Sequence, residues 1–182
     1  ISPKWWVPYR TLSALKAAQN NSAAAAQVLE RGITATDQNP LLRMELASVH
    51  ERFGDHDKSI AIYRQLIDEG AGSEAVFNNL AMLLATYKSD QASLDSALAY
   101  AEKLKNSDNA LFLDTAGWVY YKRGDYLSAL PVLKRAAELA PNHLQIRYHL
   151  GAAFYKNNQL DEARQNLSIA LKEDKKFEGR ED

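Results

Sequence analysis

Hydrophobic and polar positions alternate along this chain in short blocks at helical spacing. From Ala116 to Pro141 it reads AGWVYYKRGDYLSALPVLKRAAELAP: an apolar run, a polar break at Lys122–Asp125, then a stripe through Ala129, Leu133 and Ala136. The i, i+3 recurrence predicts two helices. Gly124 after Lys122 and Arg123 suits a left-handed helix C-cap, as does Gly54, with Asn158 the next-best residue at the same place. Pro141 disfavours further helix and marks the outgoing turn. Pro131 falls past the first turn of the second helix, where its missing N–H predicts a local kink rather than an end.

The small residues repeat. Ser13, Ala47, Ala81, Gly117 and Gly151 recur at one nearly constant interval, preceded by Leu12, Leu46, Leu80, Ala116 and Leu150. A second series, Ala25, Ser59, Ala97, Ala129 and Ala163, follows the first at a fixed offset, except in the third unit, where it falls four positions later. Antiparallel helices separated by about 8–10 Å need small side chains where they touch. Gly117 and Ala129 are expected to supply that contact. Each unit is thus a helix–turn–helix with an apolar face on either side, and a period of about 34 residues is the mark of a stacked repeat.

This pattern resembles the tetratricopeptide repeat family. The fit is best in 110–143, through Ala116, Gly117, Tyr120, Gly124, Tyr126, Ala129, Leu133, Ala136 and Pro141. Unit 144–177 matches through Leu150, Gly151, Phe154, Ala163, Leu167 and Ala170, and unit 40–73 through Leu46, Ala47, Gly54, Ser59 and Tyr63. Unit 6–39 rests on Leu12, Ala25 and Leu29, with Lys16 at a usually aromatic position. Unit 74–109 keeps Leu80, Ala81 and Ala97 but carries about four extra residues, expected in a long polar inner turn within TYKSDQASLDS, with a shorter outgoing turn. That turn reads as a tolerated insertion or a partner contact. The resemblance implies an all-α fold, a right-handed superhelical solenoid of about five repeats over residues 1–177, with a tail at 178–182. The phrasing of the later units also resembles bacterial tetratricopeptide proteins of exopolysaccharide and protein-sorting systems, which implies a periplasmic or membrane-associated parent and leaves a cytoplasmic one open.

In the family, first helices line a concave groove that holds a peptide or protein surface. Transferred position by position, the groove residues in the first two units are Arg10, Thr11, Ala14, Met44, Glu45, Ser48, Glu51 and Arg52. The preferred site lies further on: Asn78, Asn79 and Met82 in the third unit, Asp114, Trp118, Tyr121 and Lys122 in the fourth, Tyr148, His149, Tyr155 and Lys156 in the fifth. Aromatic rings with interspersed lysines and amides suit the anchoring of an extended peptide. Trp118 equally suits packing between neighbouring first helices, and Asn78, Asn79 and Asp114 equally suit a polar ladder between helices. The carboxylate clamp of chaperone-tail-binding members is not expected. Its positions hold Met44, Ser48, Leu111 and Thr115, and Asn79 alone fits.

Composition narrows the partner class. With 22 basic and 23 acidic residues the net charge is −1, which gives no electrostatic case for nucleic acid or anionic lipid as the main target. The absence of cysteine removes disulfides, thiol nucleophiles and thiolate metal sites. No apolar stretch approaches the roughly 20 residues a membrane span needs. The chain opens on Ile1 and reads as a segment of a longer protein. Leu167, Ala170 and Leu171 on the last helix are expected to need cover, either from more of the parent chain or from self-association. No phosphate loop, dinucleotide fingerprint, nucleophile elbow or zinc-protease motif occurs, and His50, His56, His143 and His149 occupy non-equivalent repeat positions. No catalytic residue, metal or cofactor is therefore expected. The expected function is a non-enzymatic scaffold for a protein or peptide partner. The competing reading is a helical-repeat domain that positions an enzymatic or glycan-export domain of a larger envelope-associated protein.

Overall fold

The computed structural model describes residues 5–88 and 90–171, and these form ten α-helices without a strand. They are α1 (Val7–Ala18), α2 (Ser22–Ala35), α3 (Pro40–Arg52), α4 (His56–Asp68), α5 (Glu74–Tyr87), α6 (Gln91–Ala101), α7 (Ala110–Lys122), α8 (Tyr126–Leu139), α9 (Leu144–Lys156) and α10 (Leu160–Ala170). Three residues separate the helices of every successive pair, at 19–21, 53–55, 88–90, 123–125 and 157–159. So short a link folds a pair back on itself, and α1 packs on α2, α3 on α4, α7 on α8 and α9 on α10.

Four of these turns share one backbone device. Asn20, Gly54, Gly124 and Asn158 take φ of 57°, 84°, 80° and 59°. The next residue's N–H then reaches back to the preceding helix: Asn21 to Lys16 O, Asp55 to His50 O, Asp125 to Tyr120 O and Gln159 to Phe154 O, at 2.8–3.0 Å. This six-to-one bond satisfies a carbonyl that the helix end leaves open. Asn21 and Asp125 also accept the N–H of Ala24 and Ser128, so one turn stops a helix and starts the next.

The third pair differs from expectation. Its inner turn is no longer than the others, and the four extra residues are helical. Helix α5 runs six residues past Ala81 where α7 runs five past Gly117, and α6 begins six residues before Ala97 where α8 begins three before Ala129. The polar letters that suggested a loop are satisfied within α6. Asp90 accepts the Ser93 N–H, Gln91 donates to Asp95, and the Ser96 hydroxyl donates to the Ala92 carbonyl. The outgoing connection, 102–109, is longer rather than shorter; it is wound through Leu104 N–H to Ala101 O and Ser107 N–H to Leu104 O, with Leu104 buried.

Contacts gather the chain into two compact units, Ile1–Val76 and Phe77–Asp182. In the first, Ala17, Ala25, Leu29, Ile33, Leu42, Leu46 and Val49 form the core. Arg43 on α3 is buried there and pairs with Glu69 at the end of α4. In the second, Leu113, Tyr120, Ala129, Leu133, Ile146, Leu150 and Phe154 belong to one core that joins α7, α8, α9 and α10.

The second unit shows what the small residues do. A Cβ on Gly117 would stand 2.5 Å from Leu133 Cγ, and one on Gly151 would stand 2.7 Å from Leu167 Cγ. The partner of Gly117 is thus Leu133, one turn beyond the expected Ala129. Helix α8 runs through Pro131, and the carbonyl deprived of its partner belongs to Leu127, a residue 80% exposed and open to water. On α10, Ala170 is buried, Leu167 half-buried and Leu171 exposed. The expected continuation and tail at 172–182 lie outside the described residues.

Candidate partner-binding face of the second unit

Helices α7 and α9 are the first members of the last two pairs, and they pack directly on each other. Asn109 caps α7 by accepting the Leu111 N–H at 2.9 Å. This start places Asp114 one turn in, against α9. Asp114 is 3% exposed and His149 1% exposed, with His149 Nδ1 2.9 Å from both carboxylate oxygens. A carboxylate only accepts, so Nδ1 carries the proton and donates. The pair is a polar bolt between two hairpins rather than a surface feature.

Aromatic rings cover it. The Trp118 ring stacks on His149 at 3.9 Å and 12°, and on Tyr121 at 4.6 Å and 5°. Tyr148 tilts against both Trp118 and His149, and Tyr126 on α8 tilts against Tyr121 at 5.2 Å. Burial, followed by the phenols of Tyr126 and Tyr148, pushes the Tyr121 hydroxyl above its ordinary pKa. Trp118 is 7% exposed. Of its two sequence readings, packing between first helices is the one its burial matches.

The expected groove residues therefore divide. Asp114, Trp118 and His149 are enclosed, and their side chains offer little surface to a ligand. Tyr121 and Tyr148 are half-buried, and Lys122, Tyr155 and Lys156 are exposed. Lys122 Nζ lies 5.0 Å from the Trp118 ring centre and Lys156 Nζ 5.9 Å from that of Tyr126. The ring cluster is built from α7, α8 and α9, whereas Asn78, Asn79 and Met82 are half-buried on α5. There the Asn78 amide donates to Asn79 Oδ1 at 3.0 Å, a bond between neighbours on one helix.

Two further residues stand at this face and were not among the expected groove residues. Leu111, the second residue of α7, is 48% exposed. Tyr126 backs Tyr121 and underlies Lys156, a role no repeat position signals. Among the described residues no cluster of three or more histidine, cysteine or acidic side chains could hold a metal ion, and no helix is long and apolar enough to cross a membrane.

Comparison with known proteins agrees with the hairpin geometry. A family profile described as "Tetratricopeptide repeat" matches residues 12–74, and one described as "Anaphase-promoting complex, cyclosome, subunit 3" matches 90–169. This is a tetratricopeptide repeat chain. A curated relative, the TPR repeat-containing protein MJ1428 of Methanocaldococcus jannaschii, is 24% identical over 157 residues. The match takes in 81% of the tetratricopeptide chain but only 27% of that protein, so the chain spans about a quarter of its relative's length. Among solved structures, TTC0263, a thermophilic TPR protein of Thermus thermophilus, has a TM-score of 0.73 at 21% identity, covering 93% of this chain and 92% of that one. MamA follows at 0.69 and 19%, covering 91% and 90%. YrrB, described as a TPR protein with an unusual peptide-binding site, stands at 0.68 and 15%, covering 92% and 86%. At these identities the likeness shows the tetratricopeptide fold.

Proposed function

We propose that this chain is a non-enzymatic scaffold that binds a peptide or a protein surface on the concave, first-helix side of its second unit. The observation that carries the reading is the exposure of Tyr155, 60% accessible on α9, together with exposed Lys122 and Lys156, whose ammonium groups lie over rings of the packed cluster. A large exposed aromatic has few torsions to fix when it is covered, which suits it to anchor an interface. Tyr121, Tyr148 and Leu111 extend that surface, and Met82, Asn78 and Asn79 offer a further polar and apolar strip on α5. Asp114, Trp118 and His149 support the surface from beneath. YrrB, with its unusual peptide-binding site, gives the same fold a precedent for such a role.

The test is capture of the native partner by crosslinking in the source cell, followed by rebinding of that purified partner in vitro. Tyr155→Ala combined with Tyr148→Ala is expected to abolish rebinding while helicity is kept. Full rebinding by the folded double variant would place the site elsewhere.

A further inference from the structure

Among the described residues of the second unit, Lys122 and Lys156 stand on the proposed binding side without an acidic partner. Basic side chains nearby are engaged: Arg123 pairs with Asp95, Arg135 pairs with Asp108, and Arg147 donates to Pro141 O and Asn166 Oδ1. Lys122 and Lys156 are exposed, and among the described residues neither has a carboxylate within ion-pair distance. The one acidic side chain of α7 or α9, Asp114, is spent inside the fold on His149. Each lysine instead lies over a ring, Trp118 or Tyr126, and those rings are joined through Tyr121. A ring beneath an ammonium attracts it and leaves its other side free to meet an anion. The two lysines are one repeat period apart, at the same place in adjacent repeats, each the last residue of its first helix.

We infer that the occupant of this face is an extended peptide segment carrying two acidic side chains three residues apart, one for Lys122 and one for Lys156. The inference rests on the binding face proposed above and names its ligand class. Packed helices lie about 8–10 Å apart, and an extended chain of the polyproline-II type advances about 3.1 Å per residue with three residues per turn, so residues i and i+3 share a face and span neighbouring repeats. Tyr155 and the half-buried Tyr121 and Tyr148 then meet the side chains between the two acids. Charge across an exposed rim sets selectivity and encounter rate more than total affinity, and salt screens it.

The test is selection from a random-sequence peptide display library on the purified chain at low ionic strength. Enriched peptides are expected to share Asp or Glu at i and i+3 around an apolar residue. Changing either acid to its amide, or making Lys122→Gln or Lys156→Gln, should weaken binding about tenfold, and the amide change should add nothing once its lysine is gone. Circular dichroism of the lysine variants checks that they remain folded. Enriched peptides without acidic pairs, or acidic peptides indifferent to both lysine changes, overturn the inference. If those peptides still lose binding to Tyr155→Ala, the binding face itself stands. If they bind Tyr148→Ala/Tyr155→Ala as well as the parent, the face falls too. Failure to enrich any peptide counts against both.

Discussion

His149 reaches across 35 residues of chain to hold Asp114, its Nδ1 2.9 Å from each carboxylate oxygen inside the junction of two hairpins. The bond ties α7 to α9 at the point where Trp118 seals both groups from water. Removing one member strands the other. His149→Phe keeps a ring for Trp118 to stack on but leaves a buried carboxylate alone, and is expected to cost about 3–5 kcal/mol. Asp114→Leu in the same background should recover part of that loss, because no unpaired charge then remains. Denaturant midpoints of the two singles and the double close the cycle, and a double variant no better than His149→Phe would refute the pairing.

Gly117 packs against Leu133 in the fourth hairpin, and the equivalent pair, Gly151 and Leu167, meets in the fifth. A Cβ at Gly117 meets the branch carbon of a fully buried leucine at 2.5 Å and the Leu133 backbone nitrogen at 3.3 Å, so a rotamer change does not clear it. Gly117→Ala gains about 1 kcal/mol of helix propensity but forces the helices apart at a cost of about 1–3 kcal/mol. Net destabilisation is expected, with Gly151→Ala behaving alike. A rise in melting temperature for either would show that the hairpin yields at this contact.

These contacts explain why the repeat was legible in the sequence. Gly117 and Gly151 are dictated by the distance between two helix axes, and Gly54, Gly124 and Asn158 by a backbone angle, so each has a local cause that spacing reveals. The extra residues of the third hairpin were misplaced because Lys88–Ser96 has the polar composition of a loop, although Asp90 and Gln91 supply the cap and the i, i+4 partner of a longer helix. The candidate site was legible only in outline. Position in the repeat puts Asp114, Trp118 and His149 on the first-helix side, but what buries them is one another, across adjacent repeats. The unpaired state of Lys122 and Lys156 likewise depends on where Arg123 and Arg147 find their partners, which no linear pattern records.

Two serines occupy small-residue positions and differ in one respect. Ser13, where later units have glycine or alanine, donates its hydroxyl to the Ala25 carbonyl at 3.0 Å while 2% exposed. Ser59 stands where every other unit has alanine, is fully buried, and its hydroxyl has no hydrogen-bond partner. Ser59→Ala should therefore stabilise the first unit by about 1 kcal/mol, the desolvation cost of an unpaired hydroxyl. Ser13→Ala should cost about 1 kcal/mol by losing a made bond. Urea midpoints that moved in the same direction for both would remove the distinction.

The Tyr120 hydroxyl donates to the Glu102 carboxylate, which also holds Lys105. Lys105 first and Tyr120 second keep the Glu102 carboxyl below its ordinary pKa, while burial first and Glu102 second raise the Tyr120 phenol above its own. A carboxyl whose folded pKa is depressed stabilises the fold above its unfolded value, near 4.3, and loses that contribution as pH falls through the folded one. A phenol whose folded pKa is raised contributes below its unfolded value, about 10, and loses it as pH climbs beyond. Tyr120→Phe deletes the bond and the titrating phenol together. Its stability deficit should hold level between those limits, narrow in acid as Glu102 protonates, and narrow again in alkali as the unfolded phenol ionises. Urea titrations of both proteins across pH provide the measurement. A deficit independent of pH would mean that Tyr120 stabilises the fold through its ring alone and that its hydroxyl does not hold Glu102 in solution.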